Sequence, residues 1–153
     1  MNKVFYALTK KTSDRLSLHK KQDGSKLMFK ADFEQFDFSF QDMLGWASYP
    51  NYCFAVIIDN KIVSCASAGY HANKINNNII DVTVATHNDY RGYGYAVSNL
   101  VALCEYALSV SDKKEIHYMT CSDNISAQKT AISAGMKKTR LSYIMLRKLI
   151  SNL

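Results

Sequence analysis

Between Ile80 and Leu108 the hydrophobic period of the sequence changes from two residues to about 3.6 across a glycine-containing turn, the pattern of a strand, a loop and then a helix. Ile80, Val82 and Val84 alternate with Asp81 and Thr83, and this β-branched pattern predicts a half-buried strand. Val97, Leu100, Val101, Cys104, Ala107 and Leu108 recur at three- and four-residue spacing and predict one buried helix face. Between the two lies Arg91-Gly92-Tyr93-Gly94-Tyr95-Ala96. Its glycines permit a tight turn and close approach of backbone N–H groups to a ligand, and the helix start adds unpaired donors and a positive dipole end. The physical expectation is an anion site, phosphate first. A tight strand-to-helix connection would also account for the two glycines.

Two familiar phosphate loops do not fit. A dinucleotide fingerprint requires a third glycine where Val97 stands, and a Walker loop requires a Gly-Lys-Ser/Thr run that the chain lacks.

The rest of the chain frames this junction as one unit spanning residues 1–153. With 48% hydrophobic residues and one proline, disordered, collagen-like and repeat architectures are unsupported. Cys53, Cys65, Cys104 and Cys121 show no CxxC or paired spacing, so reduced thiols are expected and no metal site. The chain has no apolar run of membrane-spanning length and no signal-peptide core after Met1, so a cytoplasmic protein with no membrane partner is expected, monomeric or homodimeric. The net charge of +6 is spread over Lys10-Lys11, Lys20-Lys21, Lys113-Lys114 and Lys137-Lys138 instead of clustering with aromatics, which argues against nucleic acid; its field favours an anionic ligand.

In chain order, strands are predicted at Val4–Leu8, Tyr52–Ile58, Ile62–Tyr70, Ile80–Thr86, Ile116–Cys121 and Leu141–Leu146. A short helix is expected from Ser13, and residues from Leu27 to Lys30 could be extended. Phe33, Phe36, Phe40, Met43 and Leu44 favour a helix across Asp32–Gly45, although Phe36, Phe38 and Phe40 alone would fit a strand. Asp59-Asn60 marks a hairpin, Asn124 is an N-cap candidate for a helix over Ile125–Ala134, and Gly135 ends that helix. The order β, α, α, β, β, β, α, β, α, β describes a mixed sheet with helices on it, an antiparallel meander leading into a parallel crossover.

The run Arg91-x-x-Gly94-x-Ala96 after a strand resembles the acetyl-CoA signature of the GNAT superfamily of N-acetyltransferases, and the resemblance extends over about Phe54 to Arg147. Asn124-Ile125-Ser126-Ala127 through Gly135-Met136 approximates a second pattern of that family. The resemblance implies a mixed α/β (α+β) fold with a mostly antiparallel sheet of about six strands, flanking helices and splayed central strands. It implies acetyl-CoA as cofactor, with the pantetheine arm on Val84, Ala85 and Thr86, the pyrophosphate on Arg91, Gly92, Tyr93, Gly94, Tyr95, Ala96 and Val97, and Asn124 on the arm. The reaction it implies is acetyl transfer to an amine, of a small molecule or a protein, by direct attack in a ternary complex. The Val84 backbone N–H would meet the oxyanion, and Asp81 would serve as base, with His71 and His87 as runners-up. The tyrosine that usually protonates the leaving thiolate falls at Ala131, so that role passes to Ser126, Tyr118, Tyr143 or water. The same substitution supports the alternative of an acyl-CoA-binding module with weak or no catalysis.

Overall fold

The computed structural model describes residues 3–9, 25–28, 35–36, 52–69, 79–110 and 115–139. Its elements are β1 (Lys3–Thr9), β2 (Lys26–Met28), β3 (Tyr52–Ile58), β4 (Lys61–Gly69), β5 (Ile79–Thr86), a 3-10 turn (Asn88–Tyr90), α1 (Tyr95–Val110), β6 (Glu115–Cys121), α2 (Ile125–Ser133) and β7 (Lys137–Thr139). The seven described strands form one sheet in the order β2-β3-β4-β5-β6-β1-β7. Every junction is antiparallel except β5–β6.

The meander β3–β4–β5 and the crossover β5–α1–β6 match the sequence pattern. At the β3–β4 hairpin, Asp59 (φ 49°) and Asn60 (φ 61°) occupy the left-handed region that a two-residue turn of matching twist requires. Strands β5 and β6 are parallel, a pairing no hairpin can make, and α1 supplies the crossover. One face of the sheet holds Tyr6, Leu8, Ile80, Val82, Ile116 and Tyr118 in a core with α1 and α2; the other holds Met28, Cys53, Ala55, Ile62 and Cys65, with Phe36 against them.

The sequence pattern left strand order open, and two features depart from expectation. Strand β1 lies between β6 and β7, with Tyr6 opposite Tyr118 on one side and Lys138 on the other. The strand expected to close the sheet, residues 141–146, lies outside the described residues, as do the first predicted helix and most of the second. Gln35 and Phe36 form a turn and a bend, not the helix expected across them: the Phe36 ring is half-buried on the second apolar cluster, a tertiary contact that overrides weak helical spacing. Finally, α1 buries more than its predicted face. Ser98 through Cys104 are all buried, and the polar Ser98 and Asn99 among them are bonded to Ser25.

All four cysteines are thiols, and Cys53, Cys65 and Cys104 are buried. Burial, then the Glu105 carboxylate, raises the Cys104 thiol from 9.0 to about 12. Burial, then Cys53, pushes Cys65 up as well, and burial, then Tyr6, raises the Tyr118 phenol from 10.0 to about 12. Each group holds its proton more tightly when folded, so its contribution is complete below the unfolded value and is lost as pH rises from there to the folded value. Urea midpoints of the reduced protein should therefore fall steeply from about pH 9 towards about pH 12. Cys104→Ala should make that alkaline decline shallower by up to about 1.4 kcal/mol per pH unit, whatever its packing cost at pH 7.

Candidate functional site

Among the described residues the sheet opens between β5 and β6. Pairing between β5 and β6 runs from Ile79–Glu115 to Val82–Tyr118 and stops, whereas β5 continues to Thr86 and β6 to Cys121. On its other edge β5 stays paired with β4 as far as Ser64–Thr86, in unbroken register, so the gap forms without a bulge on that edge. Along a strand the N–H and C=O groups of successive residues point to opposite edges. The His87 N–H donates to the Val63 carbonyl (2.8 Å) and the Ser64 Oγ donates to the Ala85 carbonyl (3.3 Å), which orients the odd-numbered residues toward β4. Val84 and Thr86 therefore turn their backbone polar groups toward the gap.

The glycine loop adjoins this opening. The Asn88–Tyr90 turn is capped by His87 Nδ1, which accepts the Asp89 N–H at 3.2 Å. Gly92 (φ 86°) and Gly94 (φ 81°) both lie in the left-handed region. A Cβ added at Gly92 would meet nothing within 4 Å, so backbone conformation, not crowding, requires glycine there. The first helical bond of α1 is from the Ser98 N–H to the Gly94 carbonyl (3.0 Å). Among the described residues no hydrogen bond takes up the N–H groups of Gly92, Gly94, Tyr95, Ala96 or Val97. These donors, with the helix dipole behind them, suit an anion's oxygens.

Gap and loop open into one cavity of about 450 Å³. Its walls are Val84–Thr86 of β5, the loop from Tyr90 to Val97 without Tyr93, Tyr118 of β6, and a face of α2 with its cap. Ser126, Lys129, Thr130 and Ser133 stand there at helical i, i+3, i+4, i+7 spacing. Among the described residues the wall carries the cations Arg91 and Lys129 and no carboxylate. Arg91 Nε donates to the Thr86 carbonyl (3.4 Å), which ties the loop to the open end of β5.

The residues singled out in the sequence divide clearly. Val84, Ala85, Thr86, Arg91, Gly92, Gly94, Tyr95, Ala96, Val97, Asn124 and Ser126 all line the cavity. Tyr93 does not: its ring is 60% exposed and stacks on Tyr95 (centroids 5.7 Å apart, 21° between planes). Asp81 is also outside the wall, because alternation puts its half-buried side chain on the sheet face opposite Val82 and Val84. There it sits across β5–β6 from His117, whose Nε2 lies 2.9 Å from Glu115 Oε2. Asn124 caps α2, its Oδ1 accepting the Ala127 N–H (3.1 Å). Ala131 is fully buried in the core. His71 and Tyr143 lie outside the described residues. Lys129, Thr130 and Ser133 were not anticipated; their helical spacing with Ser126 was the available signal.

No family model matches the chain, and no curated protein matches it. Solved structures do. A GNAT-family acetyltransferase from Colwellia psychrerythraea is similar with a TM-score of 0.67 at 16% identity, over 90% of this chain and 53% of that one. A provisionally named acetyltransferase of the GNAT family from Novosphingobium aromaticivorans gives 0.66 at 17% identity, over 90% and 60%. A GCN5-related N-acetyltransferase-like protein from Streptococcus suis gives 0.58 at 18% identity, over 91% and 59%. The chain thus spans little more than half the length of these proteins. Its fold is the GNAT fold: a mixed, mostly antiparallel sheet with flanking helices, as the sequence resemblance implied.

The open end of β5 is held from beneath by a buried polar chain. Ser25 Oγ lies 2.9 Å from Ser98 Oγ and donates to Asn99 Oδ1 (2.8 Å), Asn99 Nδ2 donates to Ser64 Oγ (3.1 Å), and Ser64 Oγ lies 2.8 Å from Thr86 Oγ1. Asn99 and Ser64 are fully buried, so each polar atom needs its partner. Asn99→Leu keeps the branched shape but takes a donor from Ser64 and an acceptor from Ser25, and should lower stability by about 1–3 kcal/mol in urea denaturation. Ser64→Ala, which leaves Asn99 Nδ2 unpaired, should cost a similar amount.

Proposed function

We propose that the chain is an N-acetyltransferase that moves an acetyl group from acetyl-CoA to an amine, and that residues 1–153 act as a single unit in doing so. The observation that carries this reading is the adjacency of two things: a glycine loop with uncommitted N–H donors, and a strand whose edge opens immediately beside it. Coenzyme A supplies an acyl thioester at the end of a long amide-bearing arm that starts from a diphosphate. Both ends of that arm find matching chemistry. The loop from Gly92 to Val97 offers donors to the diphosphate, with Arg91 and Lys129 balancing its charge. The open edge of β5 offers the Val84 C=O and the Thr86 N–H to amides, as an added strand would.

The chain's own residues then have limited work. The Val84 N–H meets the oxygen that becomes negative as the amine nitrogen attacks the carbonyl carbon. Asp81 takes the proton the nitrogen loses, through water, from the opposite face of the sheet across the gap; Thr83 is exposed on that face between Asp81 and the opening. A second reading, a binding module without efficient turnover, draws on one observation: the buried methyl of Ala131 occupies the position where the family carries a tyrosine.

Calorimetric titration should show the chain binding coenzyme A. Gly94→Trp should abolish that binding, since a non-glycine residue at φ 81° displaces the loop and an indole fills it; unchanged affinity would refute the cradle. Across a panel of amines, Asp81→Asn should lower thiol release from acetyl-CoA about 100-fold or more with coenzyme A affinity preserved. Binding with no turnover on any amine would favour the module.

A further inference from the structure

We propose that the Tyr118 hydroxyl is the hydrogen-bond donor that receives the departing sulfur, a role the sequence left open among several groups. The inference rests on the acetyl-transfer reading above. Tyr118 is the last β6 residue paired with β5, so its side chain stands where the two strands part. It lies on the helix-covered face, lines the cavity, and is only 4% exposed. Among the described residues no hydrogen bond occupies its hydroxyl, and its ring is held in the core beside Tyr6, its cross-strand partner.

Among the described residues the competing candidate is weaker on geometry. Ser126 also lines the cavity, but it is exposed at the first turn of α2, where water competes for the same interaction. Ala131 offers no polar atom. A phenol is moreover a stronger donor than an alcohol and is protonated throughout neutral pH; burial, then Tyr6, raises this one further, to about 12. That same burial makes the phenolate costly, so Tyr118 holds its proton and shares it. As the C–N bond forms and the C–S bond breaks, the electron pair goes to sulfur, and Tyr118 donates its O–H to the resulting thiolate. The proton lost by the amine goes to Asp81 and then to solvent, and the thiolate leaves as such or takes a proton from solvent. Atoms and charge balance without another reactant.

The test is the ionisation of the bound thiol in Tyr118→Phe, a substitution that keeps the ring in the core. Coenzyme A labelled with ¹³C at the carbon bearing sulfur is titrated by NMR on both proteins. A donor at the sulfur should make the bound thiol ionise about one pH unit lower in the unsubstituted protein than in Y118F. With hydroxylamine as a small neutral acceptor, Y118F should also release thiol from acetyl-CoA about 100-fold more slowly. Coenzyme A affinity should stay within about two-fold of the unsubstituted protein's, since the phosphate contacts are untouched. Equal thiol titrations in the two proteins, with coenzyme A still bound by both, would overturn the role of Tyr118 and leave the acetyl-transfer reading standing. Absence of binding by the unsubstituted protein would overturn both.

Discussion

Strands β5 and β6 pair from Ile79–Glu115 to Val82–Tyr118 and then separate, and the site depends on that separation. A sheet interior does not give up backbone hydrogen bonds without cost, because each buried, unpaired N–H or C=O forfeits a bond it would otherwise make. Here the cost is contained. Only the β6-facing edge of β5 is released; the opposite edge stays paired to β4 through Thr86, and the Ser64–Asn99–Ser25 chain braces that end from below. The result is a rigid strand with one open edge, which presents fixed donors and acceptors without having to reorganise for a ligand.

The parallel crossover explains why the anion loop lies beside that opening. A parallel neighbour obliges the chain to leave the end of β5, cross over a helix and return to the same end of the sheet as β5 began. The N-terminus of α1 therefore falls next to the terminal residues of β5, where the strands diverge. Gly92 and Gly94, both at positive φ, make the turn short enough for the donors of Gly92 to Val97 to face the same cavity as Val84. Arg91 closes the arrangement by bonding the Thr86 carbonyl, and with Lys129 it gives the described wall a positive character.

What could be read from the sequence follows the reach of each signal. The change of period at Arg91–Ala96 located strand, loop and helix because the information is local and both periods are strong. The Asp59-Asn60 hairpin was legible for the same reason. Strand order was not. Nothing in the alternation of Val4 to Leu8 says that β1 inserts between β6 and β7, since hydrophobic period fixes which face is buried and not which neighbour is chosen. The position of Asp81 shows the same division. Its alternation with Val82 correctly put it on the face away from the helices, but whether that face communicates with the cavity depends on where pairing with β6 ends. The phenylalanines of Asp32–Gly45 carried two competing periods, and Phe36 took its place from contact with the second apolar cluster.

The placement of β1 also bears on how the site is assembled. Tyr6 faces Tyr118 across β1–β6, and its hydroxyl donates to Gln128 Oε1 (3.2 Å), a contact between residues 122 positions apart. Gln128 Nε2 in turn donates to the Ser122 carbonyl (2.8 Å), just before the Asn124 cap of α2. The start of the chain is thereby tied to the helix that forms one wall of the cavity. Contacts of such separation cost the most loop-closure entropy and tend to form late in folding. The β3–β4 hairpin and the β5–α1 junction need no such closure. The glycine loop therefore belongs to a part of the fold that local contacts can form early, whereas the Tyr118 wall acquires its native packing only when the N-terminal strand docks beside β6.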